Sequence, residues 1–110
     1  MRYPIEINRR RYGAKVDRMA ELAIEVRVTG LVQGVSFRYY TREEALAQGL
    51  RGWVRNLPDG SVAAWLQGEA GAVDQVRGWL LNGPPLARVI EVKVEPRTPD
   101  PALGEFEIRR

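Results

Sequence analysis

The chain has 110 residues, 45% of them hydrophobic and 28% charged, which is the composition of one globular domain able to bury a core. It contains neither cysteine nor histidine, which excludes disulfides, thiol nucleophiles, iron–sulfur clusters, His-built metal sites and Ser-His-Asp catalysis. The net charge of +3 is uneven: residues 1–18 carry +4 and residues 19–110 carry −1, so the folded part has no basic footprint for nucleic acid.

The first eighteen residues show no sustained periodicity and hold Arg9, Arg10 and Arg11 in succession. They read as a basic N-terminal extension or tail ahead of a domain spanning 19–110. No apolar run approaches the ~20 residues of a membrane span, so a cytoplasmic protein without a membrane partner is expected.

From Leu22 the pattern alternates. Leu22, Ile24, Val26 and Val28 fall on one face and Glu25, Arg27 and Thr29 on the other, the period of a half-buried strand. A loop with two glycines follows, Gly30 to Val35. Ser36 is placed as the N-cap of a helix from Phe37 to Gln48, in which Phe37, Thr41 and Ala45 share a face and Gly49 suits the end.

A second strand is expected over Arg51 to Asn56 and a third over Ser61 to Gln67. Leu57-Pro58-Asp59-Gly60 joins them as a hairpin, proline presetting φ and glycine accepting the left-handed position. Residues 70–81 fit a second helix with Val73, Val76 and Leu80 inward, broken by Gly83-Pro84-Pro85. A strand over Arg88 to Glu95 is expected to bury Ile90, Val92 and Val94, and a short last strand carries Phe106 and Ile108.

The order β-α-β-β-α-β plus a terminal strand predicts an α+β, ferredoxin-like split βαβ sandwich, an antiparallel sheet with both helices on one face. That architecture hosts many functions, so chemistry must be read from particular residues. The strand-to-helix loop is the first candidate. Glycines let its backbone approach a ligand, and the amides of a helix N-terminus point outward without partners. Arg38 sits where a cation opposes the helix dipole, which makes sense if it faces a phosphate. Asn56, at the end of the second strand, is the second candidate. On spacing alone a tight turn followed by a surface arginine fits the first, and an Asx-type turn residue fits the second.

Gly30-Leu31-Val32-Gln33-Gly34-Val35-Ser36-Phe37-Arg38 resembles the first signature of the acylphosphatases. Gly52-Trp53-Val54-Arg55-Asn56, with Gly60-Ser61-Val62 and Gly68 beyond it, resembles their second. The resemblance covers residues 22–110. It implies hydrolysis of carboxyl-phosphate anhydrides, with Arg38 holding the phosphate alongside the amides of Leu31, Val32, Gln33, Gly34, Val35 and Ser36, and Asn56 orienting the attacking water. It implies no metal and no organic cofactor, and the expected partner is a small acyl phosphate bound by a monomer.

The alternative is a non-catalytic binding or sensing module for an anion or RNA. RNA-recognition motifs share the element order, and Arg51-Gly52-Trp53-Val54 matches part of their signature. It lies on the second strand rather than the third, and the later aromatics are missing. Trp53, Trp65 and Trp79 are read as core or packed surface and Arg55 as a solvated strand residue.

Overall fold

The computed structural model describes residues 20–110. The expected basic extension over residues 1–18 lies outside them. Seven elements follow in chain order: β1 (Glu21–Leu31), α1 (Phe37–Ala47), β2 (Arg51–Asn56), β3 (Val62–Glu69), α2 (Ala70–Leu80), β4 (Arg88–Arg97) and β5 (Glu107–Arg109). The strands form a single sheet in the order β4-β1-β3-β2-β5.

Alternation along β1 and β3 decides which side is covered. Ile24, Val26 and Val28 of β1 and Val62, Ala64 and Leu66 of β3 pack with Val54 of β2 under both helices. From above, Phe37 and Ala45 of α1 and Val73, Val76 and Leu80 of α2 close the layer. Each of the valine, isoleucine, leucine and phenylalanine side chains so taken from water contributes about 1.5–3 kcal/mol. The βαββαβ order and the one-sided helix cover are as the sequence predicts.

Three local features differ from the sequence reading. First, β5 runs parallel to β2, with Trp53 opposite Glu107 and Arg55 opposite Arg109, so the sheet is mixed. The chain leaving β4 crosses the open face of the sheet to reach the far edge. There the buried side chain of Gln67 holds its backbone, through hydrogen bonds with Asp100 at 2.9 Å.

Second, Ile90 is 82% exposed instead of sharing the core with Val92 and Val94. Thr29 faces Glu91, but Gly30 faces Val89, so one extra residue bulges from β4 and Ile90 is that residue. Gly30 permits the close approach. A Cβ there would stand 2.1 Å from the Arg88 carbonyl oxygen. Third, Ser36 occupies the N-cap position of α1 without capping it. Its φ is 62°, in the left-handed region, and its side chain makes no capping hydrogen bond.

The strand directions gather one end of the molecule. Both β1 and β2 run antiparallel to β3, and β5 runs with β2. The chain therefore leaves β1, enters α1, leaves β2 and finishes β5 all at the same end. No helix among the described residues is long and apolar enough to cross a membrane.

Candidate active site

At that end a cavity of about 210 Å³ is lined by Val32, Gly34, Ser36, Phe37, Arg38, Tyr39, Asn56 and Ile108. The two candidates from the sequence, Arg38 and Asn56, thus share one wall system although they sit on α1 and β2. The turn between β1 and α1 is shorter than expected. Leu31 still belongs to β1, opposite Arg88, and leaves residues 32–36 as the turn proper. Leu31 is exposed and Val35 packs against the core, while Gln33 is engaged with the hairpin; none of the three lines the cavity.

The local backbone explains what this turn can hold. Gly34 has φ 76°, and the following positive φ falls at Ser36. Left-handed residues so closely spaced turn successive N–H groups toward one side, the arrangement that makes a concave anion seat. The first helical bond of α1 runs from the Tyr40 N–H to the Ser36 carbonyl at 3.1 Å, so the amides ahead of it have no partner within the helix. Ser36 does not take one with its side chain. These amides and the positive end of α1 favour an anion.

Arg38 is half-buried at the start of α1, and its Nη1 donates to the Arg109 carbonyl of β5 at 3.4 Å. Among the described residues no carboxylate pairs with it, so its guanidinium charge is available to an exogenous anion. Asn56 is also half-buried, and among the described residues its side-chain amide makes no hydrogen bond. An unengaged amide opposite an unpaired guanidinium can bind two neighbouring polar groups, such as an oxyanion and a water.

The hairpin beside the site is held by Asp59. Its carboxylate accepts from the Ser61 hydroxyl at 2.6 Å and the Ser61 N–H at 3.0 Å, and it pairs with Arg27. The Ser61 hydroxyl, the Ser61 N–H and then Arg27 favour the charged form and lower its pKa to about 2. Among the described residues no group of three or more Asp, Glu, His or Cys converges as a metal seat would require.

A larger depression of about 300 Å³ on the open face of the sheet does not collect the signature residues. Arg27, Arg55 and Lys93 line it together with Glu25, Glu95 and Arg97, and Arg97 pairs with both glutamates. The tryptophans are packing groups as expected. Trp53 and Trp65 lie side by side with centroids 6.5 Å apart, and Trp79 meets Phe37 at 6.1 Å. Arg55 is solvated yet not idle, since its guanidinium covers the Trp53 ring at 5.4 Å. Sequence reasoning missed Tyr39 and Ile108 in the cavity and Arg109 behind Arg38. Ile108 and Arg109 reach the site only because β5 docks beside β2, which no local pattern signals.

The βαββαβ order with both helices on one face of the sheet defines a ferredoxin-like α+β domain. The acylphosphatase family model matches residues 24–108. The acylphosphatase of Paraburkholderia xenovorans is 54% identical over 82 residues, covering 74% of this chain and 84% of that protein. A solved acylphosphatase from Coxiella burnetii superposes with a TM-score of 0.75 at 39% identity, over 81% of this chain and 93% of the other. The Bacillus subtilis acylphosphatase structure gives 0.78 at 32% identity, over 81% and 99%. This chain belongs to the acylphosphatase family, hydrolases that act on the acid anhydride of an acyl phosphate.

Proposed function

We propose that the cavity at the end of β1 and β2 is where a carboxyl-phosphate anhydride is split into carboxylate and inorganic phosphate. Arg38 and the amides of the turn and the first residues of α1 hold the phosphoryl oxygens, and Asn56 orients a water in line behind phosphorus. The observation that supports this reading is that one cavity joins Arg38, the turn and Asn56, and that among the described residues neither side chain is paired to a carboxylate.

The chemistry asks little more of the protein. The leaving carboxylate has a conjugate acid near pKa ~4, so it departs at neutral pH without a general acid. What remains is to fix a dianion and place a nucleophile, and phosphoryl transfer is mostly positioning and charge stabilisation. Asn56 accepts a hydrogen bond from the water through its side-chain oxygen. No Asp, Glu, Lys or His side chain lines this cavity, so a phosphate oxygen of the substrate takes the water's proton. Neither a metal nor an organic cofactor has a part in these steps, and all the groups named come from one chain.

Hydrolysis of benzoyl phosphate, with inorganic phosphate as competitive inhibitor, tests the reading. Asn56→Ala is expected to lower kcat about 10²-fold, the scale of losing one preorganised hydrogen-bonding group, while phosphate still inhibits. An Asn56→Ala rate equal to that of the unaltered protein sinks the assigned role.

A further inference from the structure

Gln33 belongs to the turn, yet its side chain serves the hairpin. Its Nε2 donates to the Leu57 carbonyl at 2.8 Å and to the Ser61 carbonyl at 2.9 Å. Both partners are acceptors, so the amide nitrogen with its two hydrogens must be the atom that faces them. Leu57 directly follows Asn56. Ser61 directly precedes Val62, the residue opposite Asn56 in the β2–β3 ladder. The Leu57 N–H closes the same ring by donating to the Ser61 carbonyl at 2.8 Å. One primary amide therefore grips both strands of the hairpin next to Asn56.

The topology makes that grip necessary. β1 neighbours β3 and β4, not β2, so the turn that follows β1 has no ladder bond to the strand that carries Asn56. Among the described residues no other hydrogen bond joins residues 32–36 to residues 56–61. Without Gln33 the spacing of the two halves of the cavity would rest on packing and on the longer, less direct link from Arg38 through the Arg109 carbonyl of β5 at 3.4 Å.

We propose that Gln33 is a positioning residue that sets the separation between the anion-holding turn and the Asn56 amide. This rests on the reading of Asn56 given above. In-line attack tolerates little error, and a displacement of about 1 Å costs on the order of 10²-fold in rate. A glutamine suits the task because it is neutral and reaches two carbonyls at once. A glutamate of the same length would set a carboxylate against two carbonyl oxygens.

The test is a double-mutant cycle on kcat with Gln33→Ala, Asn56→Ala and the pair, together with inhibition by inorganic phosphate. Gln33→Ala is expected to lower kcat roughly 10–100-fold while the phosphate inhibition constant stays within about threefold. In the Asn56→Ala background the same change is expected to lower kcat less than about twofold, because its effect passes through Asn56. Gln33→Met keeps the length without the donors and should match Gln33→Ala, so it replaces that variant if alanine prevents folding. An equal loss in both backgrounds, a parallel loss of phosphate binding, or a kcat effect below about threefold overturns the inference. Full activity of Asn56→Ala alone would remove the reading beneath it as well.

Discussion

Gln67 and Asp100 exchange two hydrogen bonds. The Gln67 Nε2 donates to the Asp100 carbonyl and its Oε1 accepts from the Asp100 N–H, both at 2.9 Å. The same Oε1 accepts from the Trp65 indole at 2.9 Å, and the Gln67 residue is fully buried. This side chain therefore satisfies the backbone of the segment that carries β5 across the open face of the sheet.

Gln67→Leu keeps the volume and removes all three bonds. It is expected to destabilise the fold by about 2 kcal/mol, since part-buried donors and acceptors are left unmet. Gln67 lies toward the end of the sheet opposite Asn56, so kcat should be retained below the unfolding transition. Urea unfolding and an acyl phosphate assay on the same variant check both halves, and a stability loss under 0.5 kcal/mol on the scale of ordinary surface changes would contradict the account.

Alternation and turn chemistry made most of the fold legible. In β1 the core positions repeat every second residue, and Pro58-Asp59-Gly60 announces the hairpin. Ile90 was not legible, because a bulge inserts one residue and reverses the faces beyond it without altering the local apolar pattern. Gln67 falls on the outward parity of β3, and only the distant crossover makes that position buried. At the site, Arg38 and Asn56 were singled out by the resemblance of their motifs to the acylphosphatase signatures, since spacing alone also fits a surface arginine and a turn residue. The side-chain role of Gln33 was hidden because its partners are backbone carbonyls, which carry no residue identity.

Arg38 offers a second test through its geometry. A guanidinium can donate to the Arg109 carbonyl and still present further N–H groups to an anion, whereas an ammonium is a single point of charge. Arg38→Lys is therefore expected to lose most of the activity, and Arg38→Ala to lose substrate and phosphate binding together. Phosphate inhibition and kcat/KM measured side by side check this. A lysine variant within about threefold of the unaltered protein would show that charge alone suffices, since a preorganised donor is worth on the order of 10²-fold.

Ser36 tests the origin of the turn's shape. A side chain at φ 62° carries about 1–2 kcal/mol of steric cost that glycine avoids. Ser36→Gly is expected to raise stability by about 0.5–1 kcal/mol after glycine's greater freedom in the unfolded chain is counted. Ser36→Ala should change little, because no capping bond exists to lose, whereas removal of a true N-cap costs about 1 kcal/mol. Urea unfolding of the two variants separates these outcomes: a marked loss in Ser36→Ala would restore the capping role.

Asp59 gives the fold a dependence on acid. Its pKa in the folded chain is lowered from 3.8 to about 2 by the Ser61 hydroxyl and N–H and by Arg27. A depressed carboxylate favours folding when ionised, so the contribution is complete above pH 3.8 and lost as pH falls through about 2. The expected signature is a fall in urea stability across that window that is shallower in Asp59→Asn, which keeps an acceptor oxygen for the Ser61 groups but cannot titrate. Other carboxylates contribute to acid unfolding in both proteins, so the difference between the two curves is the informative quantity. Parallel curves for Asp59→Asn and the unaltered chain would mean that the Asp59–Ser61 bonds do not favour the charged form. Because this hairpin also bears Asn56 and receives Gln33, the same titration run on kcat reports whether acid loosens the site before it unfolds the domain.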